Sequence, residues 1–128
     1  MSAEDVGGQD LLTDPFLSGV DDFMADGSMR YTVAQARKVA AVLQENRAFW
    51  FEEPFEPEDL DSYAALRGTI GVRMAAGENE FGLPGFNELI RCEAVDIVQA
   101  DASRCGGITE TWLSAKAAAD AGLLFAPH

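Results

Sequence analysis

Histidine occurs once in this sequence, at its last position, and cysteine only twice. Bases are scarce as well: nine lysines and arginines stand against 22 acids, a formal charge of -13. Each shortage excludes something. A chain so poor in cations is not built to neutralise phosphates, which argues against a nucleic-acid partner. Cys92 and Cys105 lack the paired spacing of a zinc site or a disulfide framework, and fit reduced thiols in a cytoplasmic protein. No apolar run approaches membrane-spanning length, and residues 1–10 lack the basic start and apolar core of a signal peptide. No Gly-x-Gly-x-x-Gly and no phosphate loop follows any apolar run, which weakens a nucleotide-binding reading.

What the chain does have is a repeat. Residues 1–19 read as an irregular segment broken by Gly7, Gly8, Pro15 and Gly19. From residue 20 to 128 short apolar runs alternate with helical patterns, about 25 residues per unit. The runs are Asp22 to Ala25, Ala48 to Phe51, Ile70 to Ala75, Val95 to Gln99 and Leu123 to Ala126. Between them, helices are expected over Val33 to Asn46 behind a Thr32 cap, Glu58 to Arg67, Phe86 to Arg91, and from a Thr109 cap through Ala121. The segment Gly82-Leu83-Pro84 reads as loop. Near-continuous apolar strands joined by helices imply parallel strands buried on both faces, with right-handed crossovers. An open doubly wound sheet and a (β/α)₈ barrel both fit that pattern.

The residue where each run ends is ionisable: Asp26, Glu52, Glu78, Asp101 and His128. In a barrel these carboxyl-terminal strand ends ring a common mouth, where catalytic groups sit. Asp26, Glu52 and Glu78 come from three neighbouring strands and can converge. Carboxylates ~4 Å apart repel by roughly 4 kcal/mol per pair at an effective dielectric near 20, which a divalent cation removes. All-oxygen ligation suits a hard ion, Mg²⁺ before Mn²⁺. Asp101 and His128 lie on adjacent exits. An Asp beside a His fixes its tautomer, and the pair can move a proton near neutral pH. Singly, an acid after a strand is more often a helix cap, and a terminal histidine is usually just exposed. Five in register are harder to explain that way.

These residues resemble the mandelate racemase/muconate lactonizing enzyme family of the enolase superfamily. The motifs are Phe51-Glu52-Glu53-Pro54, Ala76-Gly77-Glu78-Asn79, the run Val95 to Asp101, the run Cys105 to Glu110, and Ala126-Pro127-His128. The resemblance implies a partial TIM-type barrel of about five βα units over residues 20–128, α/β in class, lacking the remaining strands and the N-terminal capping domain. It implies Mg²⁺ on Asp26, Glu52 and Glu78, with Asp101 and His128 as the acid/base dyad of the mandelate racemase branch. Ser28, Asn79 and Arg104 become substrate contacts. The implied activity is that of an acid-sugar dehydratase, a hydro-lyase acting on aldonates or aldarates. It removes the proton alpha to a carboxylate through a metal-stabilised enediolate and eliminates water. A racemase or epimerase on the same site is the alternative, as is a non-catalytic piece of a barrel. The family's Asp-x-Asn is here Asp26-Gly27-Ser28, its Pro before the dyad Asp is Ala100, and its Lys-x-Lys base falls ahead of residue 1. The chain is therefore expected to be a piece of a larger, homo-oligomeric enzyme, nearly inactive and self-associating when isolated.

Overall fold

The structure, a computed structural model, describes residues 23–128. The expected irregular segment over residues 1–19 lies outside the described residues, as does Asp22 of the first expected strand. Five strands alternate with four helices: β1 (Ala25–Asp26), α1 (Val33–Glu45), β2 (Trp50–Glu52), α2 (Leu60–Arg67), β3 (Arg73–Ala76), α3 (Gly82–Arg91), β4 (Ile97–Val98), α4 (Ile108–Asp120) and β5 (Leu124–Phe125). All neighbouring strands are parallel, in the order β1-β2-β3-β4-β5. Among the described residues β1 and β5 each have one strand partner, so the sheet is an arc of a barrel, not a closed ring.

The register puts Asp26, Glu52, Ala75, Ile97 and Leu124 at one level across the sheet. Side chains alternate along a strand. Phe51, Met74, Ala76 and Val98 therefore point to the helical layer, where they join Ala36, Val39, Ala40, Leu43, Tyr63, Leu66, Phe86 and Leu89 in the core. The opposite face carries Glu52, Ala75 and Ile97. Ala75 and Ile97 are buried yet stand outside that core cluster. Sequential strands with one helix between them put every strand end of the same polarity on one edge.

The helices form where their inward positions repeat at 3.6 residues. In α1 these are Ala36, Val39, Ala40 and Leu43. Its start is a capping box: the Thr32 hydroxyl accepts from the Gln35 amide at 3.3 Å, and the Gln35 side chain accepts from the Thr32 amide at 3.0 Å. Asp59 caps α2, and Tyr63 on that helix donates its hydroxyl to the Phe55 carbonyl at 2.7 Å.

Two expected boundaries need correction. Helix α3 begins at Gly82, not at Phe86, so Gly82-Leu83-Pro84 is its first turn and not a loop. Proline is tolerated there because its missing N–H has no intrahelical partner in the first turn. The Leu83 amide instead donates to a carboxylate oxygen of Glu110, from α4, at 2.7 Å. Thr109 lies inside α4 and is not its cap; that position is Gly107, with φ +99°.

Candidate active site

Asp26 and Glu52 are the last residues of β1 and β2, and Glu78, Asp101 and His128 follow β3, β4 and β5 by two or three residues. All five stand at the same edge of the sheet. The backbone ladder continues past the strands: the Gly27 amide donates to the Glu52 carbonyl at 2.7 Å and the His128 amide to the Ala100 carbonyl at 3.2 Å. Neighbouring exits are thereby tied together before any side chain is considered.

The side chains of Glu52, Glu78 and His128 converge, with one ligand atom from each lying within 4.8 Å of the others. His128 Nε2 is 2.5 Å from a Glu78 carboxylate oxygen, and His128 Nδ1 is 3.8 Å from an Asp101 oxygen. The imidazole thus stands between two carboxylates. Glu52 also accepts from the Trp50 indole at 2.9 Å. Asp101 is held on its far side by Ser103, whose amide and hydroxyl both donate to Oδ1 at 2.7 Å. Those bonds, with a smaller contribution from His128 and then Arg104, hold the Asp101 carboxyl below the usual carboxylate range.

Asp26 does not join this cluster. It is level with Glu52 on the adjacent strand, but its Oδ1 accepts from the Ser28 amide at 2.7 Å. Ser28 and Arg104 are exposed at the rim. Asn79 is engaged: its Nδ2 donates to Glu53 at 2.6 Å and lies 3.5 Å from Glu78.

Glu53 is the residue that sequence reasoning passed over. Its side chain is 2% exposed, whereas the adjacent Glu52 is only partly buried. Burial is the main cause that raises its carboxyl above the usual range, opposed by bonds from Gly77 and Asn79. A signal was available. Two acids inside Phe49-Trp50-Phe51-Glu52-Glu53-Pro54-Phe55 cannot both face water if the apolar run is buried on both sides.

The donor set suits a hard cation. Glu52 and Glu78 offer oxygens within ion-ligating reach of each other, while the Asp26 carboxylate, on the strand beside Glu52, is turned onto the Ser28 amide. Among the described residues no other group of acids, histidines and cysteines converges in this way, and no helix is long and apolar enough to cross a membrane.

A family model described as "Enolase C-terminal domain-like" matches residues 11–128. Among curated proteins, D-galactarolactone cycloisomerase from Agrobacterium fabrum is 36% identical over 105 residues, covering 82% of this chain and 28% of that enzyme. L-Talarate dehydratase from Polaromonas sp. JS666, solved in complex with Mg and L-glucarate, superposes with a TM-score of 0.78 at 32% identity, covering 82% of this chain and 29% of that one. The 3,6-anhydro-D-galactonate cycloisomerase from Zobellia galactanivorans gives a TM-score of 0.79 at 34% identity, covering 82% and 30%. The chain thus spans less than a third of the length of each of these relatives.

Proposed function

The chain belongs to the enolase C-terminal domain-like family, and from that premise we propose that it forms the metal- and proton-handling part of a Mg²⁺-dependent acid-sugar dehydratase, a carbon–oxygen lyase. The observation that carries this reading is the convergence of Glu52, Glu78 and His128 at one edge of a parallel sheet, with Asp101 beside the imidazole. The relatives include a dehydratase solved with Mg and a sugar acid, which supports the choice of ion and substrate class.

Asp26, Glu52 and Glu78 would hold the ion. When bound, it supplies positive charge to a substrate carboxylate and eases loss of the adjacent proton. The chain's own groups do the rest. His128 has its Nδ1 facing Asp101 and its Nε2 against Glu78; with Glu78 turned onto the ion, Nε2 would be free to take or return a proton. Arg104 and Ser28 flank the opening and are assigned to the polar groups of the sugar acid. Asn79, its amide nitrogen occupied by Glu53, would present its carbonyl oxygen. In the net reaction the alpha C–H bond breaks, its proton passes to a base, and the C3 hydroxyl leaves with a proton as water. The product is a 2-keto acid. Barrel closure needs eight strands, and five are described. We assign ligand binding to this chain and turnover to the closed barrel.

Cycloisomerases among the relatives favour a second reading, isomerisation on the same site. Aldonic and aldaric acids incubated with the full gene product and Mg²⁺ in D₂O separate the cases. Formation of 2-keto acid is expected. Deuterium entering the alpha position without keto acid would replace dehydration by racemisation or isomerisation. Neither product nor exchange across the panel would remove the proposal.

A further inference from the structure

Glu53 follows Glu52 directly but takes φ +31°, in the left-handed region that non-glycine residues rarely adopt. Such a conformation persists only where surrounding contacts hold it. Those contacts are specific. The Glu53 amide donates to the Ala75 carbonyl at 3.0 Å, and its carbonyl accepts from the Met29 amide at 2.7 Å. Its buried carboxylate accepts from the Gly77 amide at 3.3 Å and from Asn79 Nδ2 at 2.6 Å. Gly77 and Asn79 flank Glu78 in sequence, and Met29 closes the turn that starts at Asp26.

One residue therefore ties together the exits of β1, β2 and β3, which carry Asp26, Glu52 and Glu78. Close packing leaves this junction no slack. A Cβ on Gly27 would fall 2.7 Å from the Pro54 Cα, and one on Gly77 would fall 2.9 Å from the Gln99 carbonyl. We propose that Glu53 is a positioning residue that fixes the mutual placement of the three cation-binding acids without itself ligating the ion. The inference rests on the metal-binding reading above. It assigns Asn79 a second task, as the strut between Glu53 and Glu78.

The test is a Mn²⁺ titration of the chain followed by electron paramagnetic resonance of the free ion, with thermal melts alongside. Four variants are compared with the unaltered chain: Glu53→Ala, Glu53→Gln, Asn79→Ala and Glu52→Gln. Losing a partner that orients a ligand weakens metal binding by about 10- to 100-fold, and that loss is expected for Glu53→Ala. Glu53→Gln should recover to within about threefold of the unaltered chain, because its amide oxygen can still accept from Asn79 Nδ2 and so keep the strut to Glu78. A role confined to folding would lower the melting temperature without this pattern of loss and rescue. If Glu53→Ala does not fold, Asn79→Ala decides: it should weaken Mn²⁺ by at least about threefold while melting normally. Folded Glu53→Ala or Asn79→Ala binding Mn²⁺ as the unaltered chain does would overturn the inference, while loss in Glu52→Gln would leave the metal site standing. An unaltered chain that binds no Mn²⁺ would overturn both.

Discussion

The two ends of the sheet carry the same kinds of residues and use them differently. At the end where the strands begin, charges are settled in pairs. Arg67 donates to Asp96 at 2.8 Å and to the Glu93 carbonyl at 2.9 Å. The other Asp96 oxygen accepts from the Met74 amide at 2.8 Å. Arg73 lies over the Phe49 ring, 4.7 Å from its centroid. A recess opens here, lined by Arg67, Gly71, Arg73 and Asp96, yet no group of metal-binding side chains converges in it. At the end where the strands finish, acids outnumber their partners. Glu52, Glu53 and Glu78 crowd together against the His128 imidazole and the neutral donors of Trp50, Gly77 and Asn79. A fold selected for stability alone would not keep that excess, because unpaired acids at close quarters repel. The starting end holds the scaffold, and in the proposed reading the finishing end holds charge ready for a ligand.

The largest way to break this contrast is Glu52→Gln. It should weaken Mg²⁺ or Mn²⁺ binding by about 100-fold or more, since a carboxylate ligand becomes a neutral amide, as calorimetric titration would read. Loss of stability without loss of metal affinity would put Glu52 in the scaffold class. Asp96→Ala is the mirror experiment. Two donors lose their acceptor, so the chain should lose about 2 kcal/mol in denaturant unfolding while its metal affinity stays unchanged. A drop in affinity there would dissolve the division between the two ends. Glu110→Ala removes the acceptor at the start of α3 and should cost about 1 kcal/mol, again with no change at the metal site. The smallest effect belongs to Ser103→Ala. Asp101 titrates below its ordinary value, mainly through Ser103. Its ionised form therefore contributes stability fully above its unfolded pKa, and this fades as pH falls through the lower folded value. Removing the hydroxyl should move the Asp101 titration upward, as carboxyl NMR shifts would record. An unmoved titration would mean that Ser103 does not hold it.

The five βα units were legible because buried parallel strands leave nearly unbroken apolar runs between turn residues, and Thr32 marks the start of α1 by local chemistry. The starts of α3 and α4 were not. The α3 start depends on Glu110, 27 residues away, and the α4 start on a glycine conformation, which no local pattern encodes. The five strand-exit residues could be read from spacing alone, but their rotamers could not. Asp26 folds back on Ser28, and His128 meets Glu78 at 2.5 Å while Asp101 stays 3.8 Å away. Glu52 and Glu53 are chemically identical neighbours. What separates them is the Glu53 backbone angle, held by contacts from the exits of β1 and β3.

The central claim is that successive strand ends gather their acids around one hard cation. A crystal structure of the chain grown with Mn²⁺, with anomalous data collected near the manganese edge, tests it most directly. The account predicts one strong peak about 2.1–2.2 Å from oxygens of Asp26, Glu52 and Glu78, with Asp26 released from Ser28. A peak elsewhere, or an ion held with Asp26 still turned onto Ser28 and Glu52 untouched, would contradict it.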